Sequence, residues 1–83
     1  MSEIEKKYVK IDVSFNEEGT MQPLRIYWDD DIKYEIDRVL DCRQAASLKA
    51  GGQGIRYTVR ICGKNRFIWY EDPKWFVEAI KKY

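Results

Sequence analysis

Histidine is absent from this 83-residue chain, which also has only two cysteines and two prolines. Without imidazole, the commonest general base near neutral pH is missing, and so are the serine and cysteine triads that rely on it. Two isolated cysteines with no histidine do not make a standard zinc site. No apolar run approaches the ~20 residues of a membrane-spanning helix. The opening residues, Met1 to Lys7, are charged and lead into no apolar stretch, so they do not read as a secretory leader. These absences point to a cytoplasmic, non-membrane protein with Cys42 and Cys62 as reduced thiols. The two cysteines can still sit on neighbouring strands, so a bridge stays open.

What is present is aromatic and charged. Three Trp, six Tyr and three Phe give a short chain large side chains with which to fill a small core. The length fits one domain, residues 1–83. Charge is uneven. Residues 1–42 carry 6 Lys/Arg against 11 Asp/Glu, and residues 43–83 carry 9 against 3, so the halves differ in sign at −5 and +6. Either the protein has an acidic and a basic face, or strands from both halves interleave and the charges cancel.

Alternation of apolar and polar residues marks the strands. Val9, Ile11, Val13 and Phe15 share one face of a strand over 8–15, after a frayed polar terminus at 2–7. Asn16 to Thr20 is a turn, and Leu24, Ile26 and Trp28 mark a second strand over 21–28. Asp29-Asp30-Asp31 reads as a turn, since a calcium loop needs ligands at a spacing that is missing. Ile32, Tyr34 and Ile36 alternate in a third strand over 32–42. A bend near Asp37-Arg38 lets that strand serve two partners around a curved sheet. Gln44 to Lys49 is a helical turn or irregular.

Gly51-Gly52-Gln53-Gly54 matches neither the Walker pattern nor the dinucleotide fingerprint, because a strand follows and no helix opens. It reads as a flexible connection. The strongest signal is next: a hairpin from Ile55 to Tyr70. With Lys64-Asn65 as a two-residue loop, Tyr57, Val59, Ile61, Ile68 and Tyr70 form a core face. Arg56, Thr58, Arg60, Phe67 and Trp69 then form a basic, aromatic face. A three-residue loop, Gly63 to Asn65, slips the return strand and swaps its faces.

Asp72-Pro73 is a sound helix start, and Trp75, Phe76, Ala79, Ile80 and Tyr83 fall on one helical face. The alternative is an extended Trp75-Phe76-Val77. The fold expectation is therefore α+β, mainly β: about five antiparallel strands in a small barrel-like or curved sheet, with a C-terminal helix packed on it.

The runs Tyr34 to Asp41, Gly54 to Ile61 and Trp75 to Glu78 resemble small bacterial β-rich proteins without an assigned activity. That resemblance carries over no functional residue. The strand pattern is similar in outline to SH3-like barrels, which implies a fold and no function.

The expected chemistry is non-catalytic and free of cofactors and metals. Asp41–Arg43 and Asp37–Arg38 read as structural ion pairs, and Cys62 has no partner base. Two binding readings remain. In one, Arg56, Arg60, Lys64, Arg66, Phe67 and Trp69 form a platform for single-stranded nucleic acid. Bases stack on the rings while the cations follow the phosphates. That reading competes with one in which Phe67 and Trp69 are core and the arginines pair with Asp12, Glu35 or Asp37. In the other binding reading, surplus aromatics such as Tyr27, Trp69, Trp75 and Tyr83 form a protein interface, by strand addition or homodimerisation.

Overall fold

The computed structural model describes residues 4–28, 32–47, 51 and 53–80. Seven strands follow in order: β1 (Ile4–Phe15), β2 (Met21–Tyr27), β3 (Lys33–Glu35), β4 (Arg38–Ala46), β5 (Gln53–Ile61), β6 (Lys64–Glu71) and β7 (Lys74–Ile80). They make one antiparallel sheet in the order β3-β2-β1-β7-β6-β5-β4. Met1 to Glu3, Asp29 to Asp31, Leu48 to Ala50, Gly52 and Lys81 to Tyr83 lie outside the described residues, and so do the expectations placed on them.

β1 is the corner of the sheet. Its residues 4–9 pair with β7 and its residues 10–15 with β2. β3 and β4 lie at opposite edges, yet only Ile36 and Asp37 separate them in sequence. The edges must therefore approach each other, and the sheet curls into a half-barrel. Two hydrogen bonds mark the bend: Ile36 N–H donates to the Leu24 carbonyl at 2.9 Å, and Asp37 N–H to the Arg60 carbonyl at 2.8 Å. This is the bent strand with two partners, β3 on β2 and β4 on β5.

The concave side holds the core: Ile26, Tyr57, Val59, Ile61, Ile68, Trp75 and Val77, with Val9, Ile11 and Val13 of β1 packed against them. Trp75 sits between Tyr57 and Tyr70, at ring centroids of 5.2 and 5.0 Å.

Four expectations need correction. The strand count is seven, and no described residue is helical. Residues 74–80, expected as helix, form β7 between β1 and β6. Trp75 and Val77 face the concave core while Phe76 is buried on the other side. A strand covered on both faces reads as an unbroken apolar run, which imitates one side of a helix. Residues 4–7, expected to fray, extend β1 by pairing with β7. The connection between β4 and β5 is shorter than expected at both ends: Gln44 to Ala46 belong to β4, and Gln53 and Gly54, expected in a flexible connection, belong to β5.

The hairpin loop has two residues, but they are Cys62 and Gly63, with Ile61 opposite Lys64. Cys62 and Gly63 have φ of 51° and 77°, the positive pair that matches the twist of a two-residue hairpin. The loop lies two residues earlier than Lys64-Asn65, and an even shift leaves Tyr57, Val59, Ile61, Ile68 and Tyr70 on one face and Arg56, Thr58, Arg60, Phe67 and Trp69 on the other.

Candidate functional site

Neighbouring strands set the geometry of the basic face. On β5 and β6, Arg56 lies opposite Trp69, Thr58 opposite Phe67 and Arg60 opposite Asn65. These residues point away from the concave core. β4 extends the same side, with Arg38 opposite Arg60 and Arg43 opposite Arg56. Two arginine pairs therefore face each other directly across β4 and β5. Like charges in that position repel and destabilise a sheet.

Little neutralises them. Asp41 is the only carboxylate on β4 or β5, and it accepts a 2.7 Å bond from Nε of Arg43. The guanidinium holds the Asp41 carboxyl below its usual value. Arg38, Arg56 and Arg60 have no ion pair among the described residues. Of the carboxylates considered as partners for the hairpin arginines, Asp12 and Glu35 are both taken by Arg25 of β2, at 2.7 Å each, and Asp37 makes no ion pair among the described residues. Glu71 accepts from Lys6 and from the Tyr8 hydroxyl, at 3.0 and 2.9 Å. Each of these pairs lies on the β1–β2 half of the sheet or where β1 meets β7. The uneven charge of the sequence thus survives as an uneven surface.

Phe67 is the exposed aromatic of this face, at 47 %. The Arg56 guanidinium lies over its ring at 4.6 Å. Trp69 is different. It is 2 % exposed, stacked on Phe76 and approached edge-on by Phe67 at 6.0 Å. At the β4 end, Ser47 is buried on this side and donates to Glu78 of β7 at 2.8 Å. Arg56 Nε and Trp69 Nε1 are buried with no acceptor among the described residues.

Four of the six residues singled out from the sequence thus share a face: Arg56, Arg60, Phe67 and Trp69. Lys64 and Arg66 do not join them. Opposite Ile61 and Val59, they face the concave side. Arg38 and Arg43 join the face unforeseen, since only the β4–β5 register reveals them. Cys42 and Cys62 are both free and exposed.

Among the described residues, no group of three or more acidic, cysteine or histidine side chains is placed to hold a metal ion. No described helix is long and apolar enough to cross a membrane. Comparison of the chain with family models, curated proteins and solved structures finds no match. Its function must therefore be argued from its own side chains.

Proposed function

We propose that the protein is a non-catalytic, cytoplasmic binding module that holds single-stranded nucleic acid on the outer face of β4, β5 and β6. The observation that carries this reading is the two facing arginine pairs, Arg38 with Arg60 and Arg43 with Arg56, with one carboxylate on their two strands. A sheet that tolerates two such repulsions gains most when a polyanion lies across them. Phe67 supplies an exposed ring beside the cations, and Arg56 stacked on it offers a flat cationic surface for a base. Trp69 supports that surface from beneath and does not itself stack.

The test is fluorescence anisotropy of a labelled mixed-sequence single-stranded oligonucleotide across salt concentrations. If each of four arginines neutralises one phosphate, log affinity falls against log salt with a slope of about −3. Affinity then drops about 50-fold from about 50 to about 200 mM salt. Arg43→Ala with Arg60→Ala should roughly halve the slope, whereas Lys64→Ala with Arg66→Ala, on the opposite face, should leave it. No binding at low salt, or equal losses from both variants, would refute the reading.

A further inference from the structure

β6 and β7 part company. They pair only at Trp69–Phe76, Tyr70–Trp75 and Glu71–Lys74. β6 continues back to Lys64 held by β5 alone, and β7 runs on to Ile80 held by β1 alone. Among the described residues, nothing pairs with Lys64 to Ile68 on the side turned toward β7. A run of strand backbone with one side unpaired is a template for another strand.

The fork is an opening. A groove of about 460 Å³ lies there, bordered by Arg66, Phe67 and Ile68 of β6 and by Val77 and Glu78 of β7. Trp28 and Tyr34 line it from β2's end and from β3. Its deeper wall is apolar, with Ile26 and Ile61.

The charge along β6 selects the occupant. Lys64, Arg66 and Ile68 alternate on the concave side, and neither cation has an ion pair among the described residues. Glu78, the carboxylate at the groove, already accepts from Ser47. A strand lying antiparallel to β6 meets first the apolar Ile68, then Arg66, then Lys64.

We propose that this groove is a docking site for an extended segment of a partner protein, added as a strand along β6. Its concave-facing residues would run apolar, acidic, acidic from N- to C-terminus. Main-chain hydrogen bonds along β6 supply affinity, and the alternate side chains supply the choice of partner. The cations that choose the peptide, Lys64 and Arg66, face away from the arginine pairs of β4 and β5; Phe67 borders both sites, so Lys64→Ala with Arg66→Ala, which spares Phe67, separates strand addition from nucleic-acid binding.

The probe is a capped synthetic peptide, Thr-Leu-Thr-Glu-Thr-Glu-Thr, titrated into the ¹⁵N-labelled protein. The expected result is amide shift changes and slowed exchange confined to Lys64 to Ile68 and Val77 to Ile80. A peptide with Lys in place of both Glu should bind at least tenfold more weakly. A peptide with Pro at the Thr between the two Glu residues, which removes an amide donor, should also bind more weakly. Lys64→Ala with Arg66→Ala should abolish the difference between the Glu and Lys peptides; both are exposed, so the fold should tolerate the change. Shifts centred elsewhere, equal binding of the Glu and Lys peptides, or no binding at millimolar peptide would overturn the proposal.

Discussion

Trp69 and Phe76 face each other across β6 and β7 with their rings within 6° of parallel and centroids 5.4 Å apart. Both are almost wholly buried, at 2 % and 0 %, although they lie on the outer face, away from the concave core. Tyr8 of β1 continues the row, edge-on to Phe76 at 6.2 Å, and Lys6 covers the Phe76 ring at 4.7 Å. The sheet therefore carries a second, smaller apolar layer, which explains why β7 is apolar at three successive positions.

Phe76→Ala should cost about 3–5 kcal/mol of folding stability, the range for truncating a buried aromatic. Phe76→Leu, which keeps most of the volume, should cost less. Urea unfolding reads both. A loss under about 1 kcal/mol for Phe76→Ala would show that the outer row lies over the fold without helping to hold it.

Gly54 belongs to β5, and its role is close approach of backbones. A Cβ built there would collide with the Tyr70 carbonyl oxygen on β6. Gly54→Ala should push β5 and β6 apart and cost about 1–3 kcal/mol, the usual scale of overpacking. Gly63 is the contrast: its φ is +77° and nothing lies within 4 Å of a Cβ there. Gly63→Asn should change stability by less than about 1 kcal/mol, because Asn tolerates the left-handed region. Thermal unfolding of the two variants separates the roles; equal losses would contradict the assignment.

These two glycines also show what sequence can and cannot disclose. Period-two patterning located the first two strands and the first arm of the hairpin, where one face is covered more than the other; turn residues placed the return arm, which buries both Ile68 and Trp69. The composition of the hairpin faces followed, and survived a mistaken loop, because an even shift preserves parity. Patterning failed at Trp75 to Val77, where both faces are covered and alternation vanishes. It missed the close contact at Gly54 and the facing arginines, because both depend on which strand lies alongside. Trp69 reads as a platform ring for the same reason: the sequence alone does not place Phe76 beside it. The approach of β3 and β4 was half legible in their shared, bent segment; their places at opposite edges of the sheet were not.

The clasp between β1 and the end of β6 should make stability sensitive to acid. Glu71 accepts hydrogen bonds from Lys6, the larger effect, and from Tyr8, and both hold its carboxyl below the ordinary value of 4.5. Asp12 is likewise held below 3.8, first by the Tyr27 hydroxyl and then by Arg25. A carboxyl whose value is lowered by folding binds fewer protons in the folded state than in the unfolded one. Its contribution is therefore complete above its ordinary value and is lost as pH falls through the lowered one. Unfolding midpoints should be level above about pH 5 and decline below it, with Glu71 acting first and Asp12 at lower pH. Both groups are solvent-accessible, so the slope should be shallow and should flatten further in high salt. Glu71→Gln should lower the midpoint at neutral pH and remove the upper part of the decline, leaving the part due to Asp12 and Asp41. Carboxyl NMR titration of the folded protein checks the same point directly. If Glu71→Gln leaves the acid limb unchanged, the clasp contributes nothing to folding. The pairing of residues 4–9 with β7 would then rest on the ladder and the Phe76 layer alone.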